Sequence, residues 1–153
     1  MINLINYKNY WLDMVSRVGA LKQAVLVADE SHLKDHLTKN PQYPLLVATI
    51  PSAGSNARDV DSYTEKNNAL IFVLTKVAAA DRTAESYLET MSSLQLVTQM
   101  VKTLMLQDFA TCSNPMHEFM QRLDVGSFNQ DPEYNYLGHD GWSLSFRFDT
   151  LGT

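Results

Sequence analysis

Apolar positions at the start of the chain recur at the three-and-four spacing of an amphipathic helix: Leu4, Ile5, Tyr7, Trp11, Leu12, Met14, Val15, Val18 and Leu21. Gly19 weakens that helix near its C-terminal end. The first forty residues read as helical, with a second, short helix from about Ser31 to Lys39 capped by Asp29 or Ser31. Pro41 and Pro44 end this region, and the apolar run Leu45 to Ile50 predicts a strand within Tyr43 to Pro51.

From Ser52 to Asn68 the pattern is lost. Ser52-Ala53-Gly54-Ser55-Asn56-Ala57-Arg58-Asp59 is small, polar and without period, so residues 52–68 read as one long loop, of a length that suits a binding loop or an arm. Ala69 to Val77 then predicts a strand. Leu70 to Leu74 is apolar at every position, which calls for cover on both faces, either as a central strand or with one face against another subunit.

Asp81 to about Phe109 predicts the longest helix, with Tyr87, Leu88, Met91, Leu94, Val97, Met100, Val101, Leu104, Met105 and Phe109 as its apolar stripe and Asp81 or Thr83 as its cap. Glu118 to Asn129 reads as a strand whose first half also suits a helix. Trp142, Leu144, Phe146 and Phe148 alternate with polar residues, which predicts a half-buried final strand. The order of elements predicts an α+β fold in a single domain spanning 1–153. Its small antiparallel or mixed sheet has about four strands, with the N-terminal helix and the long helix packed on one face.

Composition changes this picture little. A chain of 153 residues, 45% hydrophobic and 19% charged, suits one soluble globular domain. No apolar run reaches the roughly 20 residues of a membrane helix, and Met1-Ile2-Asn3-Leu4 lacks the basic start of a secretory signal. The single cysteine, Cys112, has no partner within the chain for a disulfide and suits a reducing cytoplasm. The net charge of -5, with scattered basic residues, argues against a protein that grips duplex DNA.

Candidate chemistry is sparse. His32 and His36 share a helix face near Asp35, but no third metal ligand stands out, and the pair reads as solvated. His117-Glu118 continues to Gln121 where a zinc protease motif requires histidine. Cys112 with His117 or His139 offers a nucleophile and base only in an environment that sequence does not show. His139-Asp140 reads as turn chemistry, with Asp140-Gly141 supplying the bend. Asp59, Asp61 and Glu65 lack the calcium-loop spacing. The methionines of the long helix read as core. No catalytic, cofactor or metal site is assigned. A long loop, an over-apolar strand and a long helix on a small domain suit a protein that works by assembling with copies of itself or with other proteins.

The helix followed by Tyr43-Pro44-Leu45-Leu46-Val47, the strand-loop-strand unit leading into the helix from Asp81, and the closing Gly141-Trp142-Ser143-Leu144-Ser145-Phe146-Arg147-Phe148 together resemble the tail-terminator and tail-completion (head-tail joining) proteins of long-tailed bacteriophages. The resemblance is one of architecture over most of the chain, without a fingerprint motif. It implies a non-catalytic structural subunit that forms a hexameric ring at the end of the tail tube or at the neck. Its partners are further copies of itself, tail tube and neck or connector proteins, with DNA only as passing cargo and no membrane. Such a subunit is assembled in the host cytoplasm and resides in the virion. On this view the 52–68 segment is an arm, with Ser55, Asn56, Arg58, Asp59, Asp61 and Tyr63 as contact residues. Ile71 and Val73 belong to a strand covered by a neighbouring subunit. The alternative is a small bacterial α+β adaptor domain that binds a protein or peptide through the same 52–68 segment.

Overall fold

The computed structural model describes residues 1–57, 63–77, 83–111 and 115–151. Helix α1 (Leu4–Arg17) starts at Asn3, whose side chain accepts from the backbone N–H groups of Ile5 and Asn6 at 3.1 and 3.0 Å. It ends at Val18, ahead of Gly19 and Ala20, and the chain then extends into β1 (Gln23–Val27). That strand lies inside the region expected to be helical. Val25 and Val27 favour an extended backbone, and a five-residue strand is too short to show a period of its own.

Helix α2 (Glu30–Leu37) is capped by Asp29, which accepts from His32 N at 2.9 Å. Strand β2 (Leu45–Thr49) follows and pairs parallel with β1.

The segment expected as a loop forms two strands. β3 (Ser52–Ala57) pairs antiparallel with the first half of β4 (Tyr63–Lys76), and β2 pairs with the second half. β2 and β3 are thus one long strand interrupted once, where Thr49, Ile50 and Pro51 face only Ala69 and Leu70. This is a β-bulge, placed where Pro51 has no N–H to give the ladder. The backbone groups that it displaces find other partners. Thr49 Oγ1 donates to Leu70 O, and Ile50 N donates to Val27 O, each at 2.8 Å. Small polar residues form a strand here because β4 supplies the ladder. Their own propensity is weak.

Helix α3 (Ala84–Thr111) is 28 residues long, roughly 42 Å at 1.5 Å per residue. Thr83 and Ser86 cap it reciprocally: Thr83 Oγ1 accepts from Ser86 N, and Ser86 Oγ accepts from Thr83 N. Asp81, the other expected cap, lies outside the described residues. A 3-10 helix (Pro115–Arg122) leads to β5 (Leu123–Tyr136), which forms a hairpin with β6 (His139–Leu151). The bend is at Leu137 and Gly138, both at positive φ, as a two-residue hairpin turn requires. It is not at Asp140-Gly141, which lie within β6.

Among the described residues the chain is α+β, with a six-stranded mixed sheet in the order β1-β2-β4-β6-β5 and β3 beside β4. The expected four strands gain β1 and β3. One face of the sheet (Leu46, Ala48, Ile71, Val73, Leu144, Phe146, Phe148) packs on α1, α3 and Phe119 and Met120 of the 3-10 helix. The expected pairing of the two longer helices on one face holds. The other face (Val25, Val27, Leu45, Val47, Phe72, Leu74) is covered by Leu33 of α2. Tyr7, Trp11, Phe119 and Phe148 meet edge to face, with Tyr7 at 5.1 Å from Phe119 and Phe119 at 5.3 Å from Phe148. Each such pair adds about 0.5–1.5 kcal/mol to its burial.

Helices α1 and α3 are joined at Asp108. Its carboxylate accepts from Arg17 Nη1 and Nη2 at 2.7 and 2.8 Å and from Tyr10 Oη at 2.7 Å. The hydrogen bond to Asp108 holds the Arg17 guanidinium above its ordinary pKa, while burial, then Asp108, pushes the Tyr10 hydroxyl up.

At Gly141 the β4 backbone leaves no room for a side chain: a Cβ there would stand 1.9 Å from Val73 O. Gly141→Ala is expected to cost about 3 kcal/mol or more, because two backbones of a central ladder would have to separate. Gly54→Ala, with nothing within 4 Å of the added carbon, is expected to stay within about 0.5 kcal/mol of wild type. Urea denaturation of both variants checks the contrast, and equal stabilities would refute this packing.

Candidate functional site

The hairpin formed by β3 and the first half of β4 brings part of the expected contact set together. Ser55 stands opposite Glu65, Asn56 opposite Thr64, and Ala57 opposite Tyr63. Arg58, Asp59 and Asp61 lie outside the described residues. Ile71 and Val73 are not part of this group. They sit further along β4, fully buried in the chain's own core beneath α1 and α3. The continuous apolar run of β4 is thus satisfied within one chain: Ile71 and Val73 face one layer, Phe72 and Leu74 the other. No neighbouring subunit is needed to cover it, and the expectation for Ile71 and Val73 is corrected accordingly.

The sheet edges differ in how they are guarded. β5 is broken by irregularities at Asp124–Asn129 and Glu133–Tyr136 and carries Asp124, Asp131, Pro132 and Glu133. Bulges, proline and charge are what keep an edge from pairing with other chains. β1 ends the sheet with five residues. β3 has none of those guards. Its sequence is Ser-Ala-Gly-Ser-Asn-Ala, it pairs only with β4 among the described residues, and Ser52, Ala53 and Gly54 are exposed.

The helical layer also departs from its expected burial. Leu88 and Met100, expected in the α3 stripe, lie outside it and are 62% and 48% exposed. Leu96 is 64% exposed. Between Thr90 and Gln107 the only charge is Lys102, which lies over the Phe128 ring at 5.4 Å. On α1, Ile5 and Leu12 are 72% and 46% exposed. The signal was present in the sequence: Ile5 and Leu12 stand on the face opposite Tyr7, Tyr10 and Met14, and Leu96 stands opposite Leu94, Val101 and Met105.

The histidines have assigned local roles. His32 Nδ1 accepts from Ala28 N at 3.1 Å, which places the ring proton on Nε2 and occupies the lone pair a metal would use. Its ring centroid is 4.9 Å from that of His36. No cluster of three metal-ligating side chains occurs among the described residues. His139 is buried, and both its nitrogens are engaged. Nδ1 donates to Leu137 O, and Nε2 accepts from Tyr43 Oη, each at 2.8 Å. Its neighbour Asp140 accepts from Asn135 N at 2.8 Å instead of orienting the ring. Cys112 and the side chain of His117 lie outside the described residues.

Two clefts remain. One, of about 530 Å³, lies between the end of β4 and the first turns of α3, lined by Thr75, Lys76, Tyr87, Glu89 and Asp140. The other, of about 640 Å³, mixes Lys66, Arg122 and Arg147 with Asp124 and Asp149 beside Phe109. Neither gathers one sign of charge. No helix among the described residues is long and apolar enough to cross a membrane. Compared with known proteins, the chain matches no family model and no curated sequence.

Burial, the largest influence, lowers the His139 pKa below its ordinary 6.5, with the Leu137 carbonyl opposing it. The folded state therefore favours the neutral ring. This stabilisation is complete above about pH 6.5 and is lost as pH falls from there through the depressed folded value. The expected slope is at most about 1.4 kcal/mol per pH unit for this one group. His36, lowered by burial and then by His32, acts in the same direction. His139→Gln is expected to flatten the decline of the denaturation midpoint between pH 7 and 5. An unchanged profile would show that the Tyr43–His139 pair is not what titrates.

Proposed function

We propose that this chain is a structural virion protein of a tailed phage, a tail-terminator or tail-completion subunit that assembles into a ring at the end of the tail tube or at the neck. The observation that carries this reading is the unguarded edge of β3, borne on a hairpin whose root is fixed in the sheet by β2, β4 and β6. An edge without charge, proline or bulge invites a further strand. A rigid root lets that edge be offered at a fixed angle to a neighbour or to the tube.

Beyond Glu89 the outer face of α3, exposed at Leu96 and Met100, carries no charge from Thr90 to Met100, which supports the same reading, since helix faces turned permanently to water are normally charged. The net charge of -5 suits a channel through which DNA slides without its phosphates being held. The unguarded edge also supports the adaptor reading, in which a partner's extended segment pairs with β3. Oligomeric state separates the two.

Light scattering across a concentration series, with negative-stain imaging of the same samples, is expected to show a closed oligomer of about six subunits around a central hole. Ala53→Lys, which places a charge on the open edge, is expected to reduce binding of tube or neck partners without changing the chain's own denaturation midpoint. A monomer at every concentration that captures an extended peptide at β3 would favour the adaptor instead.

A further inference from the structure

Three buried polar groups beneath α1 have no hydrogen-bond partner in the protein: Tyr7 Oη, Trp11 Nε1 and Asn67 Oδ1. The residues that carry them are at most 1% exposed. The Asn67 amide has one orientation only. Its Nδ2 donates to Glu65 O and Phe148 O, each at 3.3 Å, and to Thr150 Oγ1 at 3.0 Å, and the two carbonyls accept without exception. Oδ1 is therefore the end left over, an acceptor, while the indole and the phenol are donors.

The three residues share one place in the fold. Asn67 lies on the face of β4 that alternation turns toward α1, in line with Ala69, Ile71 and Val73. Its cross-strand partner is Phe148, and the Tyr7 ring stacks on the Phe148 ring with centroids 6.3 Å apart. One turn further along α1, Trp11 lies 6.3 Å from Phe146, the partner of Ala69. Tyr7 thus stands over the Asn67 row and Trp11 over the next. The start of the chain gives the same alignment, because the Met1 amino group bonds Leu151 O and lies 3.8 Å from Glu65, two residues before Asn67. Burial pushes the Tyr7 hydroxyl pKa up and the Trp11 N–H opposes it, which puts the indole nitrogen on the hydroxyl's side.

A direct bond from Trp11 N–H to Tyr7 Oη would meet one of the three needs and leave the Tyr7 proton and Asn67 Oδ1 unmet. One water meets all of them. Its two lone pairs accept from Trp11 Nε1 and Tyr7 Oη, and one of its protons goes to Asn67 Oδ1. About three hydrogen bonds is the usual complement of a buried water, and buried polar groups are costly to leave unpaired. We propose that a single ordered water is bound among Tyr7, Trp11 and Asn67, walled by the rings of Phe119, Phe146 and Phe148. It ties α1 to the root of the open-edged hairpin, since Asn67 stands opposite Ala53 of β3. This site is independent of what that edge binds.

Rotating-frame NOE spectroscopy of the full, nitrogen-15-labelled chain tests it. The chain has two tryptophans, and Trp142 Nε1 donates to Met91 O at 2.8 Å, which makes its indole an internal control. The Trp11 indole proton is expected to show a cross-peak to water with the sign of a long-held molecule, and the Trp142 proton none. Tyr7→Phe removes the hydroxyl proton whose own exchange with solvent would mimic bound water. The cross-peak is expected to persist in that variant, held by Trp11 and Asn67, while the unfolding equilibrium constant rises roughly fivefold or more. A wild-type spectrum without the Trp11 cross-peak overturns the proposal. So does a cross-peak that vanishes with the Tyr7 hydroxyl, or a Tyr7→Phe variant as stable as wild type or more so, the mark of a hydroxyl that had no partner to lose.

Discussion

Strand β4 sets the terms for the rest of the molecule. Over its second half it is apolar at consecutive positions, and a strand of that kind is stable only when both faces of the sheet are covered. That requirement places α1 and α3 above Ile71 and Val73, and α2 below Phe72 and Leu74. It also accounts for the βαβ unit β1-α2-β2, since α2 reaches the second face as the crossover between two parallel strands. The first half of β4 is under no such requirement. There the inward positions Asn67 and Ala69 remain buried, while Lys66 and Asn68 on the other side are exposed. One strand thus belongs to a three-layered body at one end and to a one-sided hairpin at the other.

Much of this arrangement was legible in the residues. The caps Asn3, Asp29 and Thr83 stand where local hydrogen-bonding chemistry puts them, although the sequence reading identified only the last two. The alternation from Trp142 to Phe148 gives β6 its buried face. What escaped was structure imposed from outside the segment. Ser52 to Ala57 has little strand tendency and is extended because β4 offers it a ladder. β1 is short and lies between two helices. The α3 stripe was read too broadly for a geometric reason. A path of three- and four-residue steps turns by roughly 60° one way or 40° the other at each step. Local spacing alone therefore admits residues such as Leu88 and Met100 that have drifted to the outer face.

The candidate site was legible only in part, for a related reason. Ser55, Asn56 and Tyr63 do share one hairpin end, but their polarity suggested a loop where there is a strand edge. Ile71 and Val73 were drawn toward the surface by an argument that a strand apolar on both faces needs a partner. α1 and α3 cover those two, and the opposite face, with Phe72 and Leu74, is covered by α2, an eight-residue helix whose single fully buried side chain, Leu33, gave little sign of what it covers.

The bulge at Thr49–Pro51 is the boundary between these two regimes. Up to Thr49 the strand is flanked by β1 on its outer side; beyond Pro51 it has no outer neighbour among the described residues. Val27 O accepts from Ile50 N at the last point where β1 is alongside, and Thr49 Oγ1 caps the Leu70 carbonyl at the position where the ladder changes step. Ile50 N and Leu70 O thus both have partners within the body, so the open edge begins at a fixed point. A sheet that ends β5 with bulges, acids and proline, yet leaves β3 bare, distributes its protection unevenly.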